Sequence, residues 1–353
     1  MFETLGIESF TPLQAAPWLG LALGAAFGAL AEVSRFCLRR GLVPGPDRAP
    51  ALALWAVAFA VAILGTQAAV AAGLVSFGGH RFHTGDLPVL ALVAGGLLFG
   101  AGAVLARGCA SRLTVLAATG NLRALTGIVV LALVALATQR GLLAPLRTGL
   151  AEVTVPLGGV VSLADLPGGG LVWAGLLALP AAVLAWRGGL GPRGLALGAG
   201  IGLLVPLGWL ATGWLLADPF DALPVESLAF TGPAAQAAFY AAASTALTPG
   251  FGVGLVGGTL LGAFAAATLG GRARWQGFET TAQTGRSLAG AALMGLGGVL
   301  AGGCTVGAGL SGASTLGLAA LVAFAAIVAS IRVTGLLVEA RSESFVAPRA
   351  ASA

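Results

Sequence analysis

Two stretches of this chain, residues 227–271 and 287–331, hold no Asp, Glu, Lys, Arg or His, and each is 45 residues long. As a single helix each would measure about 68 Å, whereas a bilayer core of about 30 Å needs only about 20 apolar residues. Each stretch must therefore fold back. Pro249 and Gly250 break the first; Gly302, Gly303 and Cys304, with the Gly-rich segment 307–312, break the second. The rest of the chain agrees, with 9% of 353 residues charged, 58% hydrophobic and a mean hydropathy of +0.97. A soluble domain carries roughly 25% charged residues. Soluble, disordered, collagen-like and disulfide-stapled classes are excluded. The expectation is one all-α polytopic membrane domain over 1–353.

Charge-free runs place nine spans near 18–36, 51–75, 88–106, 123–139, 171–187, 194–216, 250–270, 286–303 and 315–336. Every basic residue is Arg, and the net charge is +5. No basic stripe alternates with aromatics, so nucleic acid is not an expected partner. Arg35, Arg39, Arg40, Arg48, Arg107, Arg112, Arg123, Arg187, Arg193, Arg272, Arg274, Arg286, Arg332, Arg341 and Arg349 fall on one side of the proposed spans. Only Arg81, Arg140 and Arg147 fall on the other, with Asp86, Glu152, Asp165, Asp218, Asp221 and Glu226. The positive-inside rule makes the first side cytoplasmic, with the N-terminus outside and the C-terminus inside. Trp18, Trp55, Trp173, Trp186 and Trp275 lie near span ends, as an aromatic belt requires. Residues 1–14 carry Glu3 and Glu8 and no basic region, unlike a cleavable signal peptide.

The chain repeats itself. Residues 20–25 and 194–199 both read GLALGA. Residues 95–109 read GGLLFGAGAVLARGC, and 290–304 read GAALMGLGGVLAGGC. Both matches run in the same order, so spans one to four recur as spans six to nine. The expected halves are about 18–140 and 194–337, with a lone connector at about 171–187. An odd connector inverts the second half, the plan of many transporters, with the site where the halves meet. The second half is longer by the region 218–248, where a short non-spanning helix is expected over 234–247.

The three cysteines carry the chemistry. Cys37 follows the first span; Cys109 and Cys304 each end a matching Gly-rich segment. No CxxC occurs, and two His with three dispersed Cys make neither a metal cage nor a disulfide framework. No cofactor or metal is implied. A thiol is a weak donor and a soft atom, and an apolar site favours its uncharged form. Uncharged thiols suit an anion with an exposed, soft sulfur. Gly108 and Gly303 let the backbone bend there and offer N–H groups to the rest of the anion. Arg107 and Arg112 flank Cys109 and add positive potential. Glu32, inside the first span, is expected to pair with Arg35 three residues on. His80 and His83 are expected to be solvated in an outer loop, where they could help attract anions.

The sequence Arg35–Phe36–Cys37, the segment GAGAVLARGCASRLTVLAATGNLRAL at 100–125 and the segment GLGGVLAGGCTVGAGLSGAST at 295–315 resemble the YeeE/YedE sulfur-transport family. The resemblance covers the membrane domain. It implies a bacterial inner-membrane protein, not an enzyme, that takes up thiosulfate or a related sulfur anion. It also implies that Cys109, Cys304 and Cys37 pass the ion by S–H contacts. Some members work with a small cytoplasmic sulfur carrier of the TusA type. Arg107 and Arg112 stand where the family favours small residues, which leaves the particular sulfur anion open. The alternative is a sulfurtransferase-like relay that holds sulfur as a cysteine persulfide and hands it to a cytoplasmic carrier.

Overall fold

Helix starts follow their capping residues. Thr11 and Gln14 form a capping box at the head of α1 (Pro12–Ser34), with Pro12 in the first turn. Asn121 accepts from the Ala124 N–H at 2.9 Å to cap α6 (Leu122–Arg140). Thr280 caps α12 (Thr281–Leu300) in the same way through Gln283. The remaining elements are α2 (Leu38–Leu42), α3 (Arg48–Ala71), α4 (Val89–Leu105), α5 (Ala110–Ala118), α7 (Ala144–Ala151) and α8 (Gly169–Arg187). There follow α9 (Pro192–Leu210), α10 (Thr231–Ala242), α11 (Phe251–Leu269) and α13 (Leu318–Val346). Two π-helical turns occur, Ala211–Leu215 at the end of α9 and Gly307–Gly312 after α12. Strands β1 (Asp86–Leu87) and β2 (Val155–Pro156) pair antiparallel in the connections. The computed structural model describes residues 11–218, 223–278 and 280–346. Glu3, Glu8, Asp221 and Arg349, read above as tail and loop charges, lie outside the described residues.

Each of the nine expected spans coincides with a helix, and the short helix expected over 234–247 is α10. Eight helical segments are long and apolar enough to cross a membrane. The ninth, α12, is not among them, because Thr281, Gln283, Thr284 and Arg286 dilute its first turns. Trp55 departs from the expected belt. It lies two turns into α3, buried, and stacks on Phe59 and Phe324 at 5.5 and 5.1 Å.

The connections gather at two ends of the bundle. At the arginine-rich end Asn121 bridges Gln276 and Arg272 pairs with Glu32. At the acidic end Ser162 bridges Gly317. Between the ends α1 lies along α11 and α9 along α3; α4 packs on α13 and α12 on α6; α4 and α12 also pack on each other. Small residues make these contacts. In lipid, apolar side chains gain little from each other, so close backbone approach supplies the attraction. A Cβ on Gly24 would overlap the Leu255 carbonyl, and one on Gly258 the Leu21 carbonyl. At the α4–α12 crossing Gly95 abuts Gly297, and Gly102 abuts Gly290. Helix α8 is peripheral: Ala174, Ala178, Ala181 and Ala185 are its buried face, while Leu176, Leu179 and Trp186 are exposed.

Gly258→Leu should lower the melting temperature of the detergent-solubilised protein or prevent its folding, because the α1–α11 backbones must part. Gly257, one residue away, meets nothing within 4 Å. Gly257→Ala should leave the melting temperature unchanged or raise it, by about 0.5–1 kcal/mol of helix propensity.

Candidate functional site

All three cysteines follow the same piece of backbone. Two positions before each stands a residue in the left-handed region: Arg35 (φ 54°), Arg107 (φ 57°) and Gly302 (φ 69°). For a non-glycine residue this conformation costs about 1–2 kcal/mol. The turn gives hydrogen bonds in return. The Phe36 N–H reaches Ala31 O at 3.1 Å, and the Gly108 N–H reaches Ala103 O at 3.0 Å. The chain then extends at Cys37 and Cys109, and a new helix starts at the next residue, α2 and α5 respectively. Cys304 is followed by the turn that enters Gly307–Gly312. Gly303 is required by close approach, since a Cβ there would press on the Ala308 N–H. Gly108 is buried but less crowded, its nearest neighbours being the side chains of Arg112 and Leu113 at 3.5 Å.

The sulfurs converge in one core cluster, with Cys37, Cys109 and Cys304 only 4%, 1% and 0% exposed. The Cys37 and Cys109 thiols are close enough to interact electrostatically. Cys109 also meets Ser111 Oγ at 3.3 Å and the Thr305 side chain. Thr305 adjoins Cys304, whose sulfur accepts from the Gly307 N–H at 3.3 Å. A buried line thus runs from Cys304 through Thr305 to Cys109 and Cys37.

Positive charge stands at both ends of this line. Arg112, on α5, faces Cys37 and Cys109, with Glu32 and Arg40 nearby; Arg39 also faces Cys37. Arg107 is exposed, and its backbone makes the turn. At the acidic end Arg81 faces Cys304 and Glu226. A cavity of about 230 Å³ opens beside the Cys304 segment, lined by His80, Arg81, Glu226, Gln236, Gly307 and Ser311 among others. Arg81 is crowded by protein yet open to water, as a side chain in a recess is. The sequence alone did not single out Arg81, Glu226 or Thr305 as site residues. They come from loops and a turn whose approach to Cys304 is set by the fold.

Two expectations are corrected. Glu32 pairs with Arg272, not Arg35: Arg272 Nε donates to Oε1 at 3.0 Å and Nη2 to Oε2 at 2.7 Å. Arg35 sits in the left-handed cap, which takes it off the α1 helical path, so three-residue spacing no longer brings it to Glu32. His80 and His83 are partly buried rather than freely solvated. The His80 ring packs against Phe77, Phe82 and Trp209 at centroid distances of 6.0, 5.1 and 5.2 Å. Burial pushes its pKa down to about 3, and Arg81 adds to the shift. His83 is also held below its ordinary value, chiefly by burial. Neither imidazole attracts anions by charge near neutral pH; the cation of this loop is Arg81.

A chain with eight helical segments long and apolar enough to cross a bilayer is a polytopic membrane protein, and its three broken helix ends converge on buried thiols. Comparison with family models matches residues 33–333 to the Sulphur transport family, and the chain belongs to that family. The matched range contains all three cysteines, both flanking arginines and Glu226. No curated protein matches the chain.

The His80 shift has a sign that can be checked. Its folded pKa lies below its ordinary value of 6.5, so the folded state binds protons less readily than the unfolded state. This contribution is fully present above pH 6.5 and is lost toward pH 3, at about 1.4 kcal/mol per pH unit. The melting temperature should therefore fall between pH 7 and pH 5. His80→Gln should flatten that fall.

Proposed function

We propose that the protein moves thiosulfate, or a related anion with an exposed sulfur, across the membrane along its three thiols, unchanged. The observation that carries this is the burial of Cys37, Cys109 and Cys304 in one core cluster, with Cys37 and Thr305 both near the Cys109 thiol. A soft terminal sulfur accepts S–H donors that a hard oxyanion uses poorly. The oxygens need stronger donors. The first N–H groups of α5 have no side-chain cap and lie beside Cys109 at the positive end of the helix. Arg81 and Arg112 give an anion favourable potential on both approaches.

The packing supports an inverted repeat. Exchanging α1 with α9, α3 with α11, α4 with α12 and α6 with α13 turns the α1–α11 contact into α9–α3, and α4–α13 into α12–α6. The same exchange turns the approach of Gly95 to Gly297 into that of Gly290 to Gly102. On this reading α8 is the connector between halves 18–140 and 194–337. Helix α5 and the segment 305–315 are then re-entrant elements that meet near the midplane. The positive-inside rule puts the arginine-rich end in the cytoplasm of a bacterial inner membrane. The order of passage is then Cys304, Cys109, Cys37. With the sulfurs so fully buried, the turns at Gly108 and at Gly302–Gly303 must open for the ion to pass. A small TusA-type carrier would receive sulfur at the end that holds Arg35, Arg39 and Arg40.

Cys109→Ala tests this reading in proteoliposomes supplied with radiolabelled thiosulfate. Uptake should fall to that of protein-free vesicles while the melting temperature is kept; wild-type uptake would refute the relay. The adjacency of Cys37 and Cys109 is also what a persulfide hand-over needs. Mass spectrometry of the protein after thiosulfate exposure should find unmodified thiols, and a persulfide on either residue would favour the relay chemistry instead.

A further inference from the structure

We propose that the anion is taken up with a proton, and that Glu226 is the group that holds this proton. The proposal rests on the sulfur-anion reading above and adds its coupling ion. Glu226 lies where three cavities of about 280, 230 and 350 Å³ adjoin. Arg81 lines the last two, and the second borders the Cys304 segment at Gly307 and Ser311. Carboxylate and guanidinium thus share the recess that leads toward the first thiol.

The backbone that carries the carboxylate is held in place. The Thr212 hydroxyl donates to Glu226 O at 2.7 Å and accepts the Glu226 N–H at 3.0 Å. Ser227 Oγ donates to Val205 O at 2.8 Å, and Ser311 Oγ to Leu228 O at 2.7 Å. The segment is therefore fastened to α9 on one side and to the Cys304 element on the other. Gln236, on α10, lines two of the same cavities as Glu226. When a dianion comes to Arg81, the anchored segment keeps Glu226 in the same recess. The anion must share the guanidinium with a fixed negative charge, and a proton on Glu226 removes that conflict.

The neighbouring groups leave Glu226 as the titrating one. Arg81 and His80 face it from the loop before β1, Arg140 from α6 and Tyr240 from α10, and Asp218 precedes it in its own connection. A guanidinium stays charged at any physiological pH. His80 stays neutral, with its pKa at about 3. Burial pushes Glu226 up from the usual carboxylate range, and Arg81 and Gln236 pull it only part of the way back. A nearby anion raises its proton affinity further. By linkage, the proton raises the affinity for the anion by the same factor.

The test is titration calorimetry of thiosulfate into the full-length protein in lipid nanodiscs, near pH 5.5 and pH 8, in buffers of differing ionisation enthalpy. Thiosulfate is a dianion throughout this range. Wild type should bind about tenfold more tightly at the lower pH and take up about one proton per ion at the higher pH. Glu226→Gln should bind equally at both pH values, with no proton uptake. Wild-type binding that is independent of pH and takes up no proton overturns the coupling and leaves the sulfur-anion reading standing. No binding at either pH overturns both. The wild-type proton count decides the matter even if a variant fails to fold.

Discussion

A helix end buried away from water leaves N–H and C=O groups that only protein can satisfy, and this chain ends three helices just before its three cysteines. Lipid tolerates such a break only where protein covers it. The left-handed residues Arg35, Arg107 and Gly302 turn each helix end back on itself and satisfy part of the exposed backbone. The rest is covered by convergence. Cys37, Cys109 and Cys304 enter one core cluster, and Ser111, Thr305 and the Gly307 N–H supply polar partners to the sulfurs. Each thiol is where it is because a break had to be buried, and the burial places a soft, weakly polar line through the middle of the bundle.

The glycines make that burial possible. Gly95, Gly102, Gly290 and Gly297 let α4 and α12 approach closely, which brings their broken ends toward the same region from opposite sides. Gly24 and Gly258 do the same for α1 and α11. Charge is then added at the rims. Arg112 serves the arginine-rich end and Arg81 the acidic end.

Much of this is legible in the sequence, for a physical reason. Span positions follow from hydropathy, which a bilayer enforces strongly, so all nine runs coincide with helices. The cysteines stand out because two of them end matching Gly-rich segments. The common turn is harder to see. Only Gly302 advertises a left-handed backbone; Arg35 and Arg107 adopt it without the residue type that signals it. The shared spacing in Arg35–Phe36–Cys37, Arg107–Gly108–Cys109 and Gly302–Gly303–Cys304 was the available clue. Partners distant in sequence were not legible. Glu32 meets Arg272 across the α1–α11 contact, and Glu226 meets Arg81 only because Thr212 and Ser311 fasten its segment beside Cys304. The burial of His80 depends likewise on Trp209 arriving from α9.

The central claim is that a sulfur anion travels in contact with these thiols. The most direct measurement is anomalous diffraction from crystals of the protein soaked in selenosulfate, whose selenium marks the soft end of the ion. The account predicts selenium peaks in contact with Cys304 or Cys109, between Arg81 and Arg112. Peaks confined to other surfaces of the bundle, with the thiol line empty under conditions where the ion is transported, would contradict it.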